Sequence, residues 1–185
     1  MLDNDQSLVL QTQQDPQAFG RLYDLYVDRL FRYAYRQMGD EALAQEVTAV
    51  TFEKALHHIQ EYEPRGVSFL AWLYRIARNE AISLHRKRKW LAPWRIIGQT
   101  EKRATETAVQ RQQEFHQLHQ ALARLAAKDR EIIQLRYFEE LDSEEVAAVL
   151  DCSVDNVYVR LHRALKKLEG QLQTIDLIRE VSYER

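Results

Sequence analysis

Apolar residues recur at helical spacing through most of this chain, and the breaks between them mark out two modules. The first runs over residues 14–89. Asp15-Pro16 is a plausible helix start, followed by a stripe of Phe19, Leu22, Tyr23, Tyr26, Leu30, Phe31, Ala34 and Tyr35. Gly39-Asp40 ends that helix and opens another, in which Leu43, Val47, Val50, Phe52, Ala55 and Leu56 can face a core. A turn-rich stretch from Glu61 to Gly66 follows, and Ser68 then caps a helix carrying Phe69, Leu70, Leu73, Ile76 and Ala77 toward Leu84. Residues 90–111 read as a flexible linker: Leu91-Ala-Pro-Trp94 breaks the period and Gly98 to Thr107 is polar. The second module, 112–170, opens with Phe115, Leu118, Leu122 and Leu125, then Ile132, Ile133, Leu135, Tyr137 and Phe138. A tail, 171–185, carries Leu172, Ile175, Ile178 and Val181 and either extends the last helix, docks on a partner or packs on its own module.

Residues 141–168 hold the most specific pattern. Ser143 is a good N-cap, Glu144 and Glu145 suit the positive end of a helix, and Val146, Ala147, Val149 and Leu150 supply its apolar face. Asp151-Cys152-Ser153 interrupts the pattern, and Ser153 can cap a second helix with Val154, Val157, Leu161, Ala164, Leu165 and Leu168 at helical spacing. On that second helix Asn156, Arg160, Arg163 and Lys167 fall within an arc of roughly 60°, beside the apolar stripe. Arg matches the two acceptors of guanine, Asn can read adenine and Lys is a natural phosphate contact. Such a helix behind a short first one is how a helix-turn-helix meets the DNA major groove. A solvated cationic face on an ordinary helical hairpin is the competing reading.

Composition sharpens the fold class. Only 5 Gly and 3 Pro among 185 residues, with many helix formers, argue for an all-α protein: two small helical modules joined by a flexible linker, the C-terminal one containing a helix-turn-helix. No apolar run approaches a membrane span and no secretory signal is evident, so a cytoplasmic location is expected. The single cysteine, Cys152, cannot form an internal disulfide and fits a reducing compartment, as a small buried residue rather than a reactive thiol. The net charge of −2 hides segregation. Residues 1–64 balance at −6, residues 65–103 at +8 and residues 104–150 at −4. A basic block between acidic ones suggests a nucleic-acid surface on a protein that otherwise touches proteins; a basic solubilising linker is the plainer alternative.

The helix at 69–89 ends in His85-Arg-Lys-Arg-Lys89, and Trp72, Arg75, Asn79 and Arg86 share one side of it. Aromatics that stack on bases, with cations that follow the backbone, suit single-stranded nucleic acid. Equally, Trp72 can be core and the basic run an ordinary helix C-terminus complementing its dipole.

Three blocks together resemble a bacterial RNA polymerase sigma factor of the extracytoplasmic-function (ECF) type, within the sigma-70 family. They are Phe19-Gly-Arg-Leu-Tyr23 through Asp40-Glu-Ala-Leu-Ala-Gln-Glu-Val-Thr-Ala-Val-Thr-Phe52, then Phe69-Leu-Ala-Trp-Leu-Tyr-Arg-Ile-Ala-Arg-Asn79 with its basic end, and Leu125 through Leu168. The likeness covers about residues 14–168, in the minimal two-module form. It implies that the first module binds core RNA polymerase around Asp40, Glu41, Gln45, Glu46 and Phe52. It further implies that this module holds an unstacked base of the −10 promoter element in the loop at Tyr62, Arg65 and Ser68, with Arg75, Asn79 and Arg86 along the strand. The second module would read the −35 element as duplex through Ser153, Asn156, Arg160, Arg163 and Lys167. The linker would thread toward the RNA exit path, and an anti-sigma factor would hold the protein inactive. No cofactor, metal or catalytic residue is implied. Asp155-Asn156 stands where the family often has Gly-Thr, Tyr158 and Val159 where basic and small polar residues are frequent, and Ala127 where a Pro is usual.

Two other classes compete. A stand-alone helix-turn-helix regulator explains residues 125–168 but not the basic helix at 69–89. A helical metal-dependent enzyme or adaptor would use His116-x-x-His119 with Glu114, or His57-His58 with Glu53, yet neither has the repeated carboxylate and His set of a bundle metal site.

Overall fold

A computed structural model describes residues 2–63, 66–87 and 116–183, with side chains at 2–5 and 176–183 outside the description. Every regular element among the described residues is helical. The elements are α1 (Leu2–Gln14), α2 (Phe19–Met38), α3 (Glu41–His58), α4 (Phe69–Lys87), α5 (residues 116–124), α6 (Ala127–Ile133), α7 (Ser143–Leu150) and α8 (Val154–Tyr183). The chain forms two compact units: Met1–Ile97 with Leu141–Cys152, and Gly98–Glu140 with Ser153–Arg185. The predicted linker, 90–111, lies outside the described residues.

In the first unit α2, α3 and α4 pack together around Leu22, Leu30, Tyr33, Val47, Leu73 and Tyr74, all fully buried. Each such side chain stabilises the fold by about 1.5–3 kcal/mol relative to exposure. The turn between α2 and α3 follows the sequence closely. Gly39 takes the left-handed conformation at φ 65°, which a side chain would strain, and its N–H donates to Tyr35 O at 2.8 Å. Asp40 then caps α3, its Oδ1 accepting from Leu43 N at 2.9 Å. Ser68 caps α4 through Ala71 N at 3.2 Å, as expected.

Several expectations change. Asp15 caps a short 3-10 turn, Pro16–Ala18, rather than a long helix, and α2 begins only at Phe19. Before it stands α1, which the periodicity does not announce, with Val9 and Thr12 buried. On α3, Val50 is half-buried and Leu56 lies exposed, and on α4 Ile76 is half-buried while Tyr74 and Ala81 join the core. Ser143 does not cap α7. Asp142 does, in a reciprocal box: Glu145 N donates to Asp142 Oδ1 at 2.8 Å, and Asp142 N donates to Glu145 Oε2 at 3.0 Å. A carboxylate partnered at the third helical position satisfies two helix-end donors, where Ser143 would satisfy one. Asp151 closes α7 in the left-handed conformation at φ 54°. Cys152 is half-buried rather than buried.

In the second unit α6 packs on α8. After Ile133 the helix widens into one π turn, Gln134–Phe138, closed by Glu139 N donating to Gln134 O at 3.0 Å. That widening leaves Tyr137 exposed, although its apolar neighbours Ile132, Ile133 and Leu135 are buried. Ser153 starts α8, its Oγ accepting from Asn156 N at 3.3 Å. The buried stripe of α8 is Val157, Ala164, Leu168 and Ile175, with Val154, Leu161 and Leu165 half-buried. The tail thus continues the last helix to Tyr183, and its Ile175 is buried.

Candidate nucleic-acid interface

Two separate helix faces carry the candidate residues. On α4 the Trp72 ring is half-buried against Tyr62 at 4.8 Å and Phe69 at 5.3 Å between centroids. Tyr62 itself meets Phe69 edge-on at 5.3 Å. Trp72 is therefore neither wholly core nor a lone surface ring; it is the outer member of a cluster of tilted and edge-on aromatic rings anchored inside by Phe69. One and two turns further along, Arg75 and Asn79 are exposed, and Arg86 is exposed in the last full turn. Arg78, Asn79, Ile82, Ser83, Arg86 and Lys87 line an open concavity of about 690 Å³. An aromatic step followed by a cationic and amide groove is the arrangement that stacks a base and follows a backbone. Arg65 lies outside the described residues.

Within the same unit α7 packs on α4. The Ser68 hydroxyl donates to the Glu145 carboxylate, and Arg75 lies 3.9 Å from Asp151 with both side chains largely exposed. Ser68 is consequently half-occupied by a protein partner as well as by its capping role.

The second face lies on α8. Asn156, Arg163 and Lys167 are exposed and Arg160 half-buried, all beside the buried stripe, and Ser153 is exposed at the helix start. Lys167 differs from the expected phosphate contact in one respect: its Nζ donates to Asp129 Oδ2 at 2.5 Å, and the Asp129 side chain is only 11% exposed. Its ammonium is thus already balanced by an acid from the start of α6. Next to Asp129, burial lowers the pKa of Arg130 from its ordinary value.

The expected polymerase surface splits. Asp40, Glu41, Gln45 and Glu46 are exposed along the first two turns of α3. Phe52 is not part of that surface. It is 4% exposed, packed against Tyr23 at 4.7 Å and edge-on against Phe19 at 6.3 Å. An aromatic ring packed at the α2–α3 seam removes its apolar area from water, so Phe52 is placed as a packing residue between these helices.

Of the residues of the metal alternative, Glu114 lies outside the described residues. His116 is exposed with its Nε2 2.8 Å from Gln120 Nε2, whereas His119 is buried. His57 Nδ1 lies 2.8 Å from Glu53 O, a backbone contact. Among the described residues no three His, Cys, Asp or Glu side chains are grouped to hold a metal ion. No helix among them is long and apolar enough to cross a membrane.

Sequence signals missed two parts of this arrangement, Gln13 on α1 and Asp129 on α6. Asp129 and Lys167 are 38 residues apart, so no local pattern reveals their pairing. Gln13 donates from Nε2 to Ile59 O at 2.8 Å and to Tyr62 O at 2.9 Å, again a tertiary contact.

Comparison with known proteins gives the family. Residues 22–91 match Sigma-70 region 2, and residues 115–168 match Sigma-70, region 4. The ECF RNA polymerase sigma factor BldN of Streptomyces coelicolor is 32% identical over 155 residues, covering 82% of this chain and 59% of that protein. The ECF RNA polymerase sigma factor SigW of Bacillus subtilis is 28% identical over 173 residues, covering 87% of this chain and 92% of that protein. Among solved structures, CnrH in complex with the cytosolic domain of CnrY matches with a TM-score of 0.68 at 27% identity, over 92% of this chain and 97% of that one. A region 2 match followed by a region 4 match marks a sigma factor. The chain belongs to the sigma-70 family, in its extracytoplasmic-function group.

Proposed function

We propose that this chain binds core RNA polymerase and directs initiation at promoters through two contacts, a −10 strand held on α4 and a −35 duplex read by α8. The observation that carries the reading is the pair of separate faces, each with chemistry suited to one form of DNA. The Tyr62, Trp72, Arg75, Asn79 and Arg86 face offers stacking and backbone contacts. The Ser153, Asn156, Arg160, Arg163 and Lys167 face offers donors for base edges in a major groove and, at Lys167, for a backbone phosphate. The Asp40, Glu41, Gln45 and Glu46 turns of α3 supply an acidic surface for the polymerase.

The physics favours a factor that depends on its polymerase. A few phosphate contacts give weak, salt-sensitive binding, and each good bidentate base contact adds about 1–3 kcal/mol of discrimination. Opening the −10 region costs stacking and pairing energy, which an extruded base held in place repays. Nucleotide addition belongs to the polymerase and needs no catalytic group here. An anti-sigma factor is the proposed regulator; the family resemblance supports it, and CnrH, a similar chain, was solved with a protein partner.

Transcription reconstituted with core polymerase on a promoter library tests the reading. The expected result is initiation at a defined set of start sites sharing two elements. Tight binding to a duplex operator without polymerase would instead favour a stand-alone regulator.

A further inference from the structure

We infer that Gln13 on α1 is a positioning residue for strand capture, holding Tyr62 so that its ring backs Trp72. The inference rests on the −10 reading above and adds a residue from outside both promoter faces. Its Nε2 uses both amide hydrogens, one on Ile59 O at 2.8 Å and one on Tyr62 O at 2.9 Å. These carbonyls bracket the 3-10 turn Ile59–Glu61, which is also closed by a long bond, Tyr62 N to Ile59 O at 3.2 Å. Gln60 Nε2 returns a bond to Gln13 O at 2.8 Å, so helix and turn are tied in both directions. Past that turn Tyr62 is extended, at φ −71° and ψ 122°, and half-buried, with its ring against both Phe69 and Trp72. The core fixes Phe69, which is 2% exposed, but Trp72 is half-buried and takes its support from Tyr62 and Phe69. A stacking platform works when its rings do not have to be ordered as the base arrives, so the tie at Gln13 lowers the ordering cost of capture. Buried Val9 and Thr12 hold α1 in place independently of the amide, so the two roles of α1 are separable.

The test uses the full chain with core polymerase and a promoter selected by that holoenzyme from a random library. Abasic nucleotides are placed one at a time along the non-template −10 strand, and the open-complex lifetime is measured. Gln13→Met keeps the length and packing of the side chain but donates nothing; Gln60→Ala removes only the returning bond. On intact DNA we expect Gln13→Met to shorten the lifetime about tenfold, the equivalent of about 1.4 kcal/mol. On DNA abasic at the captured position the same variant should lose less than about twofold, because the platform then has nothing to hold. Gln60→Ala should fall between native and Gln13→Met. Core-polymerase affinity and helicity should match the native chain throughout. An equal loss on intact and abasic DNA would make Gln13 a general stabiliser and overturn the inference. So would no loss at all, when abasic sites still weaken the native complex. Indifference of the native chain to every abasic position would overturn the −10 reading itself, and the inference with it.

Discussion

Replacing Phe52 by Ala separates a packing residue from a contacting one on the face of the first unit proposed to meet the polymerase. The ring is 4% exposed and meets Tyr23 at 4.7 Å and Phe19 at 6.3 Å. Truncating a buried Phe costs about 3–5 kcal/mol, from lost transfer energy and the cavity left behind. In a domain of this order each kcal/mol moves the midpoint by about 4–8 °C, so unfolding should begin at least about 12 °C lower. Phe52→Leu keeps most of the volume and should cost less than about 1.5 kcal/mol. Glu46→Lys, on an exposed turn of α3, should leave the midpoint nearly unchanged, within about 0.5 kcal/mol. Thermal unfolding by circular dichroism, with core-polymerase affinity measured at a temperature where every variant is folded, provides the assay. The expected result is that Phe52→Ala melts early but binds polymerase near normally when cold, while Glu46→Lys melts normally and binds weakly. A Phe52→Ala chain that melts like the native one yet fails to bind polymerase would place that ring at the interface and refute the reasoning.

Other perturbations give further checks. Asp129→Asn frees the Lys167 ammonium, now held at 2.5 Å, and should steepen the salt dependence of holoenzyme binding to −35 duplex by about one counterion. An unchanged slope would show that Lys167 does not reach a phosphate. Asp142→Ala removes the acceptor for Glu145 N at 2.8 Å and should destabilise α7 by about 0.5–2 kcal/mol, read by hydrogen exchange of its first-turn amides. Gly39→Ala imposes a side chain at φ 65° and should cost about 1 kcal/mol by urea unfolding; a neutral result would mean the turn can relax.

Local chemistry was legible where it is local. Gly39-Asp40 and Ser68 mark element ends by backbone and capping rules, and the structure places each there. Ser143 misled because it stands beside Asp142, yet only Asp142 has a Glu at the third helical position, a signal present in the sequence. α3 is apolar on more than one side, so Phe52, Val50 and Leu56 look alike in a helical projection and only packing sorts them into buried, half-buried and exposed. α1 offers Leu8, Val9 and Leu10 in a row, and only one of these is buried, with Thr12 completing its inner face; no stripe can be read from that. The Lys167 and Gln13 contacts depend on tertiary proximity, which periodicity does not encode.

The claim that two faces serve two promoter elements is tested most directly by pairing protein and DNA changes in one transcription assay. Arg160→Ala and Asn79→Ala holoenzymes are compared with native on the selected promoter and on copies with the −35 or the −10 element scrambled. Arg160→Ala should reduce initiation about 5- to 150-fold on the intact promoter and have no further effect once −35 is scrambled. Asn79→Ala should lose its effect only when −10 is scrambled. Effects that persist whichever element is scrambled would contradict the division of labour between α4 and α8.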